Sequence, residues 1–283
     1  MSINPFNIEV VDWRPSTAKE IKSFYKETFP RIWETLPEYL RKSSPVEYAF
    51  AFLRPIRTIS LIEKDFVRRG NKKYSLEDLR NLLLDFKKFD SSEEIIIENS
   101  QVAGFYFSLK TKNGWLLAFD IDSKDIAMAG MCEYHPGIKS DADEKEIAAW
   151  RQMIRGIPPV HPKDPEEYLY CFNCIWVAVN KAFEARKIML EWGFAPENIH
   201  VYYSGQGAHI HVLEDEAWQY QKESRSFITK MLTKAGIPLD SKVSADERRV
   251  LRFTGSLHVG VNRKVQELKH SNDLEEIIKK PNW

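Results

Sequence analysis

The chain has 283 residues, 43% of them apolar and 29% charged, with 41 basic and 41 acidic side chains. That length buries a sizeable core as one large domain or two, and the composition excludes a disordered or fibrous chain. No apolar run approaches the roughly 20 residues of a bilayer span. The opening Met1-Ser-Ile-Asn-Pro-Phe-Asn also lacks the basic-then-apolar pattern of a secretory leader, so a cytoplasmic protein without membrane partners is expected. The neutral sum hides an uneven distribution. Residues 54–73 hold seven basic and two acidic side chains, residues 242–269 seven and three, and residues 141–167 seven acidic against four basic. Basic segments suit a polyanion, although runs of this kind commonly form solvated faces. Three cysteines are too few, and odd in number, for a disulfide framework.

In chain order, Ser16 opens a predicted helix with Ile21, Phe24, Tyr25 and Phe29 at helical spacing. A strand is predicted at 47–53, followed by Arg54 and Arg57, then an amphipathic helix at 76–86 capped by Ser75. β-Branched and aromatic residues predict strands at 94–97 and 104–109. Residues 115–119, Trp-Leu-Leu-Ala-Phe, form a buried strand bounded by Gly114 and leading into Asp120-Ile-Asp122. Positions two apart share a strand face. Two such anions repel unless a cation lies between them, and hard divalent ions favour carboxylate oxygen, so Asp-x-Asp here is a candidate Mg²⁺ or Mn²⁺ site. A turn with solvated acids is the alternative.

Cys132-x2-His135 and Cys171-x2-Cys174 are two pairs of ligands at the spacing a closed tetrahedral zinc site uses, with His161 in reserve. Three small buried hydrophobes are the competing reading. Between the pairs lies a charged, then Pro-rich excursion with a short helix near 146–154. A long helix is predicted at 176–192, ending at Gly193, and another at 227–235, ending at Gly236. A strand at 198–203 precedes Ser204-Gly-Gln-Gly-Ala-His209-Ile-His211, a glycine turn whose backbone can approach a phosphate with His209 as added donor. Asp246 to His258 carries a third carboxylate before a strand, with Arg249 and His258 as cations, and the tail to Trp283 reads as peripheral.

Together these blocks resemble the small catalytic subunit of archaeal and eukaryotic primases, within the archaeo-eukaryotic primase (primase-polymerase) superfamily. Phe119-Asp120-Ile121-Asp122 is similar to its Asp-x-Asp motif, Ser204–His209 to its Ser-Gly-Arg-Gly-x-His motif, and Asp246–His258 to its third motif. Gln206 stands where that family has arginine, leaving Arg57, Arg249 or Arg252 to supply the cation, and Phe253-Thr254 replaces its Leu-Pro. The resemblance covers about residues 15–265. Its compactness is similar to plasmid- or virus-encoded versions, which often precede a helicase in a longer polypeptide.

The resemblance implies an α+β primase catalytic fold with an RRM-like core sheet. It implies one catalytic domain over 1–283, with a zinc knob at about 130–176. Asp120, Asp122 and Asp246 would hold two Mg²⁺ or Mn²⁺ ions; Ser204, Gln206, His209, Arg249, His258 and Arg57 would meet the nucleotide. Cys132, His135, Cys171 and Cys174 would hold structural Zn²⁺. Partners would be single-stranded DNA template, primer, NTPs or dNTPs, and a helicase domain or primase large subunit, with Arg263 and Lys264 on template phosphates. A metal-dependent nuclease and a non-catalytic zinc-stabilised nucleic-acid-binding module are the other classes considered.

Overall fold

The computed structural model describes residues 14, 16–37, 39, 46–52, 68–74, 102–111, 114–139, 141–154, 171–246, 249–279 and 283. Arg57, His161, the predicted helix at 76–86 and the predicted strand at 94–97 lie outside the described residues. The described part is a mixed α+β structure. In chain order its strands are β1 (Val46–Phe52), β2 (Arg68–Tyr74), β3 (Val102–Ser108), β4 (Lys110–Thr111), β5 (Gly114–Trp115), β6 (Leu117–Asp122), β7 (Ile199–Tyr203), β8 (Gly207–Val212), β9 (Val250–Arg252), β10 (Leu257–His258), β11 (Arg263–Lys264) and β12 (Gln266–Leu268). They form two four-stranded antiparallel sheets, β2-β1-β3-β9 and β12-β7-β8-β6, plus the short hairpins β4-β5 and β10-β11.

Strand periodicity explains how β6 serves two surroundings at once. Leu117, Phe119 and Ile121 alternate with Ala118, Asp120 and Asp122. The first set, with Ala208, Ile210 and Val212 of β8, is buried against the Phe172–Glu191 helix. That helix meets the core through Ala178, Val179, Ala182 and Ala185, small enough to let it lie close to the strands. Ala118 joins a second core with Phe105, Phe107, Leu251 and Phe253 of the other sheet and with Ile21, Phe24, Tyr25 and Phe29 from the N-terminal helical segment. Each fully buried Leu, Ile or Phe contributes roughly 1.5–3 kcal/mol, so the face of β6 that carries Leu117, Phe119 and Ile121 is strongly specified. The acids therefore emerge along the seam between two apolar cores.

The N-terminal helix starts one residue later than the pattern indicates. Thr17, not Ser16, caps Ala18–Ser23 and forms a capping box with Glu20. Ser16 instead pins the segment to the C-terminal part, its N–H donating to Val259 O at 2.7 Å and its hydroxyl to Asn262 Oδ1 at 2.8 Å.

The C-terminal part departs from its sequence reading in two ways. Arg263 does not reach solvent to meet a template phosphate. It is fully buried and donates to the carbonyls of Ile277 and Ile278 in the last turn of the Leu274–Lys279 helix, where helix carbonyls lack partners of their own. Nor is the tail peripheral. Leu274, Ile277 and Ile278 belong to the core beneath the acid-bearing sheet, and Trp283 sits edge-on to Phe24 with ring centroids 5.8 Å apart. Apolar residues at helical spacing in a polar segment override its average composition.

Candidate functional site

β6 and β8 place the first two motifs side by side. Their register sets Asp120 opposite His209 and Asp122 opposite Gly207. Asp122 ends the strand and caps the Ser123–Met128 helix with extended backbone angles (φ −90°, ψ 154°), and its N–H donates to Asp125 Oδ2 at 3.2 Å. The glycines are required by this close approach. A Cβ at Gly207 would strike the Ile121 carbonyl, and one at Gly205, which has φ +113°, would strike the His258 ring. The turn between them is closed by Ser204 N–H donating to Gly207 O at 3.1 Å and by Tyr203 Oη donating to Gly205 O at 2.6 Å.

An open cavity of about 190 Å³ results, lined by Asp120, Asp122, Ser204, Gln206, His209, His258, Tyr106 and the β9 residues Val250, Leu251 and Arg252. Five polar residues predicted for nucleotide or metal contact thus converge there with Gln206. Arg249 and Asp246 do not line it. Arg249 Nε pairs with Asp246 Oδ2 at 3.3 Å, both side chains more than 40% exposed (47% and 43%). Arg249 lies before β9 and turns to solvent with Asp246, its N–H donating to Asp246 O at 3.1 Å, whereas Arg252 ends the strand and lines the cavity. The cavity's cation is Arg252, which donates to Tyr106 Oη at 3.0 Å and lies 4.8 Å from that ring's centroid.

Two further carboxylates act on the pair, Asp125 and Asp240, neither of them named in the sequence reading. Asp240 lies next to β6. Its N–H donates to Asp120 O at 2.9 Å, and its negative charge acts on both Asp120 and Asp122. Asp240 Oδ1 accepts Val243 N–H at 3.3 Å, the N-cap arrangement for the Ser241–Ala245 turn. Asp246 follows directly on the end of that short helix. Asp240 announces itself only as Asp before Ser after a Pro-Leu pair, a cap signal and not a catalytic motif.

Burial dominates the electrostatics. It pushes the Asp120 carboxyl well above its ordinary range, reinforced by Asp122, Asp125 and Asp240 and opposed by Lys124. Asp122 is raised as well, by burial first. Burial, then Asp122, lifts Asp125 to about 7. His209 falls to about 3 through burial and then Arg252, and His258 is driven well below its usual value for the same reasons. The 3.4 Å approach of His209 Nε2 to Asp120 Oδ1 therefore joins a neutral ring to a carboxyl held toward its neutral form. Asp120 Oδ1 is buried with no hydrogen-bond partner among the described residues. A buried carboxylate cluster with an unused oxygen is what a hard divalent cation satisfies.

A second centre lies beyond the Ser123–Met128 helix. The ligand atoms of Cys132, His135, Cys171 and Cys174 all fall within 4.8 Å of one another, and all four residues are buried. Cys132 Sγ is 3.7 Å from Cys171 Sγ, and His135 Nδ1 is 3.3 Å from Cys132 Sγ and 3.4 Å from Cys174 Sγ. Tetrahedral bonds of about 2.3 Å separate ligand atoms by about 3.8 Å, so the set fits a metal such as zinc with little adjustment. Cys171 is the N-cap of the Phe172–Glu191 helix and Cys174 lies in its first turn, so half the site is built on a helix and not on a loop. With Cys171 and Cys174 donating to it, the Cys132 thiol is pulled far below its usual range, while Cys171 rises to about 12. A cation would let all three ionise.

No protein-family model matches the chain. It is 29% identical over 171 residues to the DNA primase small subunit PriS of Pyrococcus furiosus, covering 59% of this chain and 38% of that protein. The chain thus spans well under half the length of this curated relative. The similarity points to a distant relationship with the primase small subunit. No helix among the described residues is long and apolar enough to cross a membrane.

Proposed function

We propose that this protein is a DNA primase-polymerase, a nucleotidyltransferase that makes and extends primers on a single-stranded DNA template. The observation that carries the reading is the cavity itself. Asp120 and Asp122 line it together with Ser204, Gln206, His209, His258 and Arg252, and the charge of Asp240 acts on both acids. Carboxylates facing neutral donors and a cation suit a metal-bound nucleoside triphosphate, and the similarity to PriS agrees with that chemistry.

Asp120, Asp122 and Asp240 would hold Mg²⁺ or Mn²⁺, which supplies charge neutralisation for phosphoryl transfer when bound. Ser204 and the amide of Gln206 donate toward phosphate oxygens. His209 and His258, kept neutral by burial, donate without adding charge, and Arg252 takes the role the family's motif-two arginine has. The four-ligand Cys/His cluster has no open position for substrate and is assigned a structural zinc. The chain is read as one catalytic domain with an RRM-like sheet under the acids and the zinc knob at about 130–176, working with template, primer and partner replication proteins.

The test is a primer-free reaction on single-stranded DNA with Mg²⁺ or Mn²⁺, supplied with NTPs and dNTPs separately, and repeated with a primer. Template-dependent products lost in Asp120→Ala are expected. Silence in both formats with DNA still bound would overturn the reading in favour of a non-catalytic nucleic-acid-binding module.

A further inference from the structure

The acid cluster brings its own cation. Lys124 is the second residue of the helix that Asp122 caps, and its Nζ lies 3.7 Å from Asp122 Oδ2. The charges of Asp125, Asp240 and Asp120 act on it as well as that of Asp122. The other cation acting on Asp122, Arg252, is committed to the Tyr106 hydroxyl and ring. Asp122 itself is immobilised, as the end of β6 and through its N–H bond to Asp125. Lys124 is not: its side chain is 55% exposed, a flexible stem that can lie on the cluster or extend into water. An ammonium group and a divalent ion at the same carboxylate repel each other and compete for its charge.

We propose that Lys124 is a built-in competitor for the divalent-cation site, covering Asp122 until an ion displaces it and so setting how tightly the ion is held. The inference rests on reading the cavity as a divalent-cation site. A group that stabilises one state of a site lowers affinity for whatever binds the other. Lys124 therefore trades affinity for stability of the acid cluster, and it favours release once the product leaves.

The test compares Lys124→Met and Lys124→Arg with the unaltered chain. Mn²⁺ binding is followed by the electron paramagnetic resonance of free Mn²⁺, and thermal unfolding is measured in EDTA and in saturating Mn²⁺. Lys124→Met should bind Mn²⁺ about tenfold more tightly, the order of one screened charge repulsion. It should unfold at lower temperature in EDTA and regain the difference in Mn²⁺, while Lys124→Arg should follow the unaltered chain. Unchanged or weaker Mn²⁺ binding by Lys124→Met, or equal loss of stability in both solutions, overturns the proposal. Asp122→Asn provides the separate control. If the unaltered chain shows no Mn²⁺ binding that Asp122→Asn removes, the cation-site reading fails, whatever Lys124 does.

Discussion

The choice between Asp240 and Asp246 as third acid is the sharpest quantitative consequence of the site. Replacing Asp240 with Asn keeps a side-chain oxygen for Val243 N–H, 3.3 Å away, so the Ser241–Ala245 helix can keep its cap while the negative charge is removed. That charge acts on both Asp120 and Asp122. Losing one preorganised electrostatic contact to a phosphoryl-transfer transition state costs about 10²–10³ in rate, or about 3–4 kcal/mol. Asp246→Asn removes the charge of a half-exposed ion pair with Arg249, about 0–1 kcal/mol, and should leave the rate within about threefold. Primer extension at saturating Mg²⁺ measures both, with thermal unfolding to verify that each variant folds. If Asp246→Asn is as inactive as Asp120→Asn while Asp240→Asn extends normally, the assignment of the third carboxylate is wrong.

Other consequences follow from single side chains. Cys174→Ser should lower bound zinc, measured by elemental analysis, from about one ion per chain toward none and reduce thermal stability; unchanged zinc content would remove His135 and the cysteines as its ligands. Arg225 is fully buried and donates to the carbonyls of Leu116, Trp115 and Tyr220, so Arg225→Met should cost about 3 kcal/mol in urea unfolding by orphaning buried acceptors, and a loss under 1 kcal/mol would contradict that. Glu20, held at about pKa 2 first by Arg14, gives a pH signature. Its folded pKa lies below the unfolded value, so its contribution is complete above about pH 4.5 and fades as pH falls toward 2. Glu20→Gln should therefore be less stable by about 1 kcal/mol at pH 7, with the gap closing in acid; a gap independent of pH would refute the account.

Local chemistry made much of this legible in advance. The Asp-x-Asp strand, the glycine turn and the two Cys/His pairs each carry their meaning in adjacent residues, and the structure brings the members of each together. What escaped depends on distant contacts. Asp240 is a helix cap until β6 lies beside it. Arg249 and Arg252 look equivalent in a row of basic residues until β9, which begins just after Arg249, pairs with β3 and sets Arg252 opposite Tyr106. Arg263 reads as a surface cation because burial of a guanidinium requires acceptors, here carbonyls from a helix that begins eleven positions later in the chain. The facing of two sheets is likewise a non-local outcome that periodicity within one strand does not encode.

The Cys/His cluster also bears on how this chain can change length. Its two halves clamp the ends of the covalent span from His135 to Cys171, one beside the acid-bearing strand and helix, the other at the start of the helix that backs the sheet. With a metal holding both ends, and with Trp150 of the Glu144–Ile154 helix keeping its place in the core, a flexible lengthening of the span would cost about 0.6 kcal/mol for each doubling. The clamp thus insulates the acids from whatever sequence is inserted behind it. The stretch between the Glu144–Ile154 helix and Cys171 is therefore the place to test an affinity tag, a fluorescent reporter or a whole foreign domain, with Asp120 and Asp122 expected to keep their positions.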